Sequence, residues 1–442
     1  VVIEGLTFDG PDVAYSGLDL NESAAVHLTD CVGCSVRGNT FTMSGHSSDS
    51  NYARAVMVKG SGSADNDISN NDITGAELYY SYAGASRTRC CFNTVKDSPA
   101  NGISGNGNTG TPVDNLVMGN HVINPGRMGI EDIGNIYRTQ IVNNVCIGPA
   151  TATAEGYGIS AAGWESLVQG NTVRDFPIYG IEASGRGLQV VGNRCRQLQG
   201  DTLLQGVGIV INTGSGDPLG GSAVIGNYVE GFEYGIAATA DHGAVQILGN
   251  NVVNCQRSIF GDTTDDYSIL VIEGNGIRFT VPNDDASNAY RYGIYVTSGD
   301  GTGNVGCRIL GNTVTWESTA AAGYSTSQEI AIDVNTVSAT VAFNTVDAHG
   351  ITGSGSFAPF GIYGAGSTVA GLRVIGNTFL GGSLVYISSY TTPVYLLNSK
   401  APDDGTARET FFNASPAAKP TGVAVTAGGI HAALVTLGLI SA

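Results

Sequence analysis

Glu77, Glu131 and Glu182 are the residues of this 442-residue chain whose type and spacing could do acid–base chemistry. Glu131 and Glu182 each follow a Gly-Ile pair, Gly129-Ile130 and Gly180-Ile181. Ser104 and Ser160 hold the same place after Gly102-Ile103 and Gly158-Ile159. If the chain returns to one line after each such unit, these residues stack as a row. The row reads His27, Met57, Glu77, Ser104, Glu131, Ser160, Glu182, Val210 and Ala237, the first three placed by position alone. Successive glutamates of the row would sit two strands apart, roughly 10 Å at the backbone. Leaning side chains bring the carboxyls to ~6.5–9.5 Å, where one acid protonates a leaving oxygen and the other carboxylate activates water. A second carboxylate close by also raises the pKa that a general acid needs. Glu131 and Glu182 are therefore the expected acid and base, with Asp132 and Glu77 next in line. The plainer alternative is that outward Glu and Ser only keep a sheet face solvated and unaggregated.

Side chains suited to holding a sugar surround this row. Tyr79, Tyr137, Tyr157 and Trp164, with Tyr80 and Tyr82, offer faces for stacking on rings. Arg127, Arg138 and Arg186, with Arg87, offer donors for carboxylates or hydroxyls. Glu131-Asp132 is the densest point, with Arg127 and Arg138 on either side in sequence. Repetition of Tyr157, Tyr179, Tyr234 and Tyr292 at the heads of Gly-Ile segments also fits simple packing. Arg174, Arg194 and Arg196 read as a solvated network with Asp175 and Glu230.

What positions these residues is an internal repeat. A corner asparagine recurs at Asn39, Asn71, Asn93, Asn120, Asn144, Asn171, Asn193, Asn227, Asn250, Asn275, Asn312, Asn344 and Asn377, with gaps from 22 to 37 residues. A core unit of about 22 residues with loops inserted into some turns accounts for that spread. Leu188-Gln189-Val190, Val245-Gln246-Ile247 and Cys307-Arg308-Ile309 alternate with period two, as strands with one buried face do. No helical stripe interrupts them. The expected fold is all-β, a right-handed parallel β-helix of about 13–14 coils. The asparagines are expected at its corners, in left-handed backbone and bonded to one another from coil to coil.

The segment Val2-Ile3-Glu4-Gly5-Leu6-Thr7-Phe8, the Gly-Asn-Thr-Val corners and the Tyr-Gly-Ile segments resemble the pectin-lyase-like β-helix superfamily over roughly residues 1–397. The rhythm stops after Asn398. Residues 399–442 end in a small, apolar run, Ile430 to Ile440, that resembles the C-termini of bacteriophage tail proteins. A β-helix (1–398) followed by an association module (399–442) is similar to the tailspike depolymerases of tailed phages. That resemblance implies a homotrimer on the virion, acting outside the host cell on bacterial surface polysaccharide such as capsule, O-antigen or exopolysaccharide. It also implies attachment to other tail proteins through a part upstream of Val1, which already lies inside a strand-like line. Glycoside hydrolysis is the expected chemistry. The alternatives are a polysaccharide lyase on the same fold, a non-catalytic receptor-binding spike, or a secreted bacterial carbohydrase. The chain lacks the Asn-Thr-Asp, Gly-His-Gly and Arg-Ile-Lys strands of polygalacturonases, the Asp-Pro-His of mannuronan epimerases and the clustered aspartates of pectate lyases.

Composition narrows the partners. A net charge of −18 argues against nucleic acid and anionic membrane, and no apolar run approaches the ~20 residues of a membrane span. Sixty-four glycines with only 13% charged residues describe a turn-rich, folded chain. Of eight cysteines, Cys146 and Cys195 stand two places after a corner asparagine and are expected in the core. Cys31-x-x-Cys34 lacks a second ligand pair for zinc, and the residues call for no metal or cofactor. A disulfide within Cys31–Cys34, or one using Cys90 or Cys91, stays open. The longer insertions, at 199–205, 280–291, 316–328 and 349–359, are expected to leave after the asparagine corner and return at the Gly-Ile segment, walling a groove along one edge.

Overall fold

A computed structural model describes residues 1–10, 24–43, 54–107, 110–149, 156–197, 206–212, 221–239, 244–262, 269–280, 290–297, 306–317, 328–335, 339–348, 360–365, 372–380, 383–388 and 395–397. Among the described residues every helix or strand element is a β-strand. The association module expected at 399–442 and the four inserted loops lie largely or wholly outside them. The chain forms two compact units, Val1–Asp262 and Thr263–Ala442.

In the first unit a coil is three short strands, for example Ser35–Arg37, Thr40–Met43 and Arg54–Lys59, before the chain re-enters at Asp67–Ser69. Each strand pairs in parallel with its copy one coil later, so every third strand joins the same sheet, ten strands to a sheet. The result is a right-handed parallel β-helix. The second unit repeats the scheme with sheets of five, four and four strands.

Alternation closes the coil interior. Val36, Ile68, Cys90, Val117, Ile141, Val168 and Val190 line it from the first sheet, Phe41, Ile73, Val95, Val122, Cys146, Val173 and Cys195 from the second, and Leu78, Ile103, Ile130, Ile159, Ile181 and Ile209 from the third. None exceeds 1% exposure. Each such Val or Ile contributes about 1.5–3 kcal/mol by burial. Cys146 and Cys195 are core thiols, as expected, and all eight cysteines are free, Cys31, Cys34, Cys90 and Cys91 included.

The asparagine corner, between the first and second sheets, differs from expectation in one respect. Left-handed backbone falls on the residue before each ladder asparagine: Gly38, Asn70, Phe92, Gly119, Asn143, Gly170, Gly192, Gly226 and Gly249, with φ from 55 to 65°. The asparagine that follows spends its amide on neighbours. Asn144, for example, gives Nδ2 hydrogens to Val117 O at 3.0 Å and Asn171 Oδ1 at 3.0 Å. Its own Oδ1 accepts from the Asn120 backbone N–H and Asn120 Nδ2, both at 2.9 Å. The same pattern runs from Asn39 to Asn227, and from Asn275 to Asn344 in the second unit.

A second left-handed corner leads from the third sheet back to the first, and it is charged. Asp65, Arg87, Asp114, Arg138 and Glu165, with φ from 51 to 58°, occupy equivalent places in successive coils. Arg87 Nε meets Asp65 Oδ1 at 2.7 Å and Arg138 Nε meets Asp114 Oδ1 at 2.7 Å, each pair half-exposed. Pairing holds both aspartates below, and both arginines above, their usual ranges.

Candidate functional site

The outward face of the third sheet carries the acid–base candidates. Ser104 pairs with Glu131, Glu131 with Ser160, and Ser160 with Glu182, followed by Val210 and Ala237. Glu131 and Glu182 thus lie in one row with one coil between them, about 10 Å apart at the backbone. Beside that row runs another, Met128, Tyr157, Tyr179, Val207 and Tyr234. The Tyr157 and Tyr179 rings stand 4.7 Å apart. Ser160 Oγ donates to Glu182 Oε2 at 2.6 Å, and burial, then the Glu182 charge, pushes the Tyr179 phenol up.

Glu77 is not in the row, contrary to expectation. Tyr79 stands between Met57 and Ser104, while Glu77 pairs with Arg54. Leu78 pairs with Ile103 and Tyr79 with Ser104, so Glu77-Leu78-Tyr79 is the segment equivalent to Gly102-Ile103-Ser104 and its third residue, Tyr79, takes the place in the row. The Glu77 side chain still reaches the row. Its Oε1 accepts from Ser104 Oγ at 2.5 Å, and Arg54 Nε lies 3.8 Å from Oε2. Asn101 Nδ2 then donates both to Ser104 Oγ at 3.1 Å and to Glu131 Oε2 at 2.8 Å. The Arg54 guanidinium lies over the Tyr79 ring, 4.7 Å from its centroid. Arg54, Glu77, Tyr79, Asn101, Ser104 and Glu131 are all more than nine-tenths buried, although their places face out of the coil. Burial pushes the Glu77 carboxyl up to about 7. Ser104 and Arg54 work against that shift, and the Glu131 charge adds to it.

The remaining candidates divide. Arg127 precedes the strand Met128–Gly134, and its charge acts on Glu77. Asp132 points into the coil, fully buried, and is pushed up to about 7 by burial. Tyr137, Trp164 and Arg186 lie beyond the far end of the third-sheet strands, at the charged corner. There Tyr137 and Trp164 bridge coil to coil, with rings edge to face at 5.0 Å, and the Glu165 N–H donates to Arg186 O. Arg138 is committed to Asp114 at that same corner, so it does not flank Glu131. The third-sheet face therefore brings together Glu77, Tyr79, Arg127, Glu131, Tyr157 and Glu182, and leaves Asp132, Tyr137, Arg138, Trp164 and Arg186 elsewhere.

Sequence reasoning passed over Arg54, Asn101 and Asp333. Asn101 had a signal: it is the polar residue before a Gly-Ile pair, where Met128, Tyr157 and Tyr179 stand in later coils. Asp333, in the second unit, pairs with Tyr295 in a third-sheet strand and is pushed up to about 7 by burial. It follows Ala331-Ile332 rather than Gly-Ile, so the signature skipped it. Of the basic cluster, Arg196 pairs with Glu230 as expected, while Arg194 lies over the Tyr228 ring instead. Among the described residues no three His, Cys, Asp or Glu come together as a metal-binding set.

No family model matches the chain, and no curated protein sequence does. Among solved structures, it is similar to the Dettilon tailspike protein gp208, at 14% identity over 87% of this chain and 61% of that one, TM-score 0.36. The tailspike gp61 of Pseudomonas phage phi297 matches at 11% identity over 78% and 50%, TM-score 0.34. The A-module of the Azotobacter vinelandii mannuronan C-5 epimerase AlgE6 matches at 14% identity over 91% of each chain, TM-score 0.39. The matched part is thus only 61% and 50% of the two tailspikes' own lengths. At such identities and TM-scores these likenesses say nothing of this chain's chemistry.

Proposed function

We propose that this chain is a tailspike-type depolymerase that binds bacterial surface polysaccharide and cuts it by glycoside hydrolysis. One observation carries the reading: Glu131 and Glu182 share an outward row two coils apart, beside Tyr157 and Tyr179 and next to Tyr79, Arg54 and Arg127. Two strand spacings leave room for a water between the carboxyls, which suits inversion at the anomeric carbon. Glu131, held by Asn101, serves as the acid that protonates the glycosidic oxygen. Glu182, only partly buried, serves as the base that takes the proton from the attacking water. Tyr157 stacks on a sugar ring, and Arg127 fixes a hydroxyl or carboxylate. Assembly as a homotrimer on a virion, joined to other tail proteins, belongs to the same proposal.

A non-catalytic glycan-binding spike is the second reading, favoured by the burial of Glu131 and its commitment to Asn101. Incubating the purified chain with polysaccharide from a host bacterium separates the possibilities. New reducing ends of inverted configuration, lost in Glu131→Gln while the fold is kept, support the hydrolase. Absorbance from unsaturated uronate points to a lyase, and retention on the polysaccharide without products points to the binder.

A further inference from the structure

The outward face of the second sheet carries a basic cluster that the proposed hydrolysis leaves unused. Its strands are Thr172–Arg174, Arg194–Arg196 and Tyr228–Glu230. In one row Thr172 pairs with Arg194 and Arg194 with Tyr228; in the row beside it Arg174 pairs with Arg196 and Arg196 with Glu230. Val173, Cys195 and Val229, between the two rows, are buried in the coil, so these six places face outward. Arg196 Nε lies 2.5 Å from Glu230 Oε2, and the Tyr228 hydroxyl donates to that same oxygen at 2.9 Å. The Arg194 guanidinium lies over the Tyr228 ring, 5.0 Å from its centroid. Burial and Glu230 push the Tyr228 phenol up, and the charges of Arg196 and Arg194 oppose that shift.

The distribution of charge here runs opposite to that of the chain, which has 38 acidic residues to 20 basic. Arg174 stands between Ile147 and Arg196, and Arg194 between Thr172 and Tyr228, so neither has a carboxylate across the strand. Arg174 is exposed, and among the described residues its guanidinium has no partner. Like charges directly across a strand pair are destabilising, so placing Arg174 beside Arg196 lowers stability unless an anion joins them. Stacking fixes the plane of Arg194 and leaves its N–H edges free, the geometry of a two-pronged bond to a carboxylate. Neighbouring strands lie about 4.8 Å apart, close enough for these long side chains to converge on one anionic group. We propose that Arg174, Arg194 and Arg196, with Tyr228, form a glycan-binding site separate from the third-sheet face, for the carboxylate of an acidic sugar residue in a polysaccharide. Thr172, next to Arg194, adds a hydroxyl for the sugar's own oxygens. The net charge of −18 repels a polyanion at long range, but physiological salt screens exposed charges beyond about 8 Å, so the arginines at hand decide. Glu230 is committed to Arg196 and Tyr228, so the site holds polysaccharide without cutting it. It stands whether or not Glu131 is catalytic.

Titration calorimetry of the full chain with polygalacturonate, a polymer of carboxylated sugars, tests the site, with uncharged dextran as the control. The parent should bind polygalacturonate and not dextran, and more weakly as salt is added. Arg174→Gln and Arg194→Gln should each lower the affinity about ten-fold or more, the loss expected for a charge-assisted hydrogen bond. Without polymer, Arg174→Gln should melt no lower than the parent, because a like-charge pair is relieved. A clear fall would reveal a structural partner for Arg174 and overturn the assignment. Glu131→Gln should bind polygalacturonate as the parent does, which separates this site from the fate of the hydrolase reading. Undiminished binding in both arginine variants, or a parent that ignores polygalacturonate or takes dextran equally well, would sink the proposal.

Discussion

Asn101 divides one amide between two tasks: one hydrogen goes to Ser104 Oγ, the other to Glu131 Oε2. Since Ser104 passes its own hydrogen to Glu77, the two carboxylates are tied together without touching. A carboxyl that must protonate a glycosidic oxygen is useful only in one orientation, and displacement of about 1 Å can cost on the order of a hundred-fold in rate. Asn101→Leu keeps the volume and releases Glu131. The expected result is a fall in kcat of about a hundred-fold with KM nearly unchanged. A variant as active as the parent would show that Glu131 is not oriented by this contact. Glu182 invites the complementary test, because Ser160 Oγ donates to its carboxylate. Ser160→Ala should leave the fold intact and weaken catalysis by about ten-fold or less, since one neutral hydroxyl donor is lost from a partly buried carboxylate.

At the level of elements, the corner between the first and second sheets is held by two different physical devices in adjacent residues. Removing the ladder amide in Asn144→Ala leaves the Asn120 N–H, Asn120 Nδ2 and Val117 O without their buried partners. At about 1–3 kcal/mol for each such group, the loss should be at least about 3 kcal/mol in chemical denaturation. Gly192→Ala next door tests the backbone alone. A Cβ there meets nothing within 4 Å, yet φ is 62°, so the cost should be only about 1–2 kcal/mol. A larger loss at Gly192 than at Asn144 would contradict the division of labour. The ladder was legible in sequence because an asparagine and a preceding glycine return once per coil, and alternation is visible in three-residue strands such as Gln189–Val191. The row through Glu131 and Glu182 was legible for the same reason. Glu77 was misplaced because Glu77-Leu78-Tyr79 carries no Gly-Ile signature to mark that Leu78 is the partner of Ile103 and Tyr79 that of Ser104. Arg138 looked like a ligand for substrate because an arginine beside Glu131-Asp132 in sequence has no visible partner. The partner, Asp114, arrives from the previous coil. Asp132 was counted with the outward carboxylates although alternation from Glu131 already sends it inward, against Tyr80.

Over the whole molecule, buried carboxyls set how stability responds to pH. Glu77 and Asp132 in the first unit and Asp333 in the second are each pushed up to about 7, in every case chiefly by burial. In an unfolded chain such groups release their protons near pH 4. Between about pH 4 and pH 7 the folded protein therefore binds more protons than the unfolded chain, and the free energy of unfolding must fall as pH rises. The stabilisation is complete below pH 4 and disappears as pH passes through 7. A gap of about three pKa units corresponds to roughly 4 kcal/mol for a fully buried group, at about 1.4 kcal/mol per unit. Self-repulsion from the net charge of −18 acts in the same direction, since acid removes part of it. Asp65 and Asp114 act oppositely, because their arginine partners are lost when they protonate, but exposed pairs contribute little. The melting temperature should therefore be higher at pH 5 than at pH 8. Asp132→Asn, which keeps the shape and can still accept from Tyr80, should flatten that slope and melt no lower than the parent at pH 8. A parent protein whose melting temperature holds level or climbs from pH 5 to pH 8 would mean that these carboxyls are open to water, and the burial of Asp132 and of the Glu77–Glu131 cluster would be wrong.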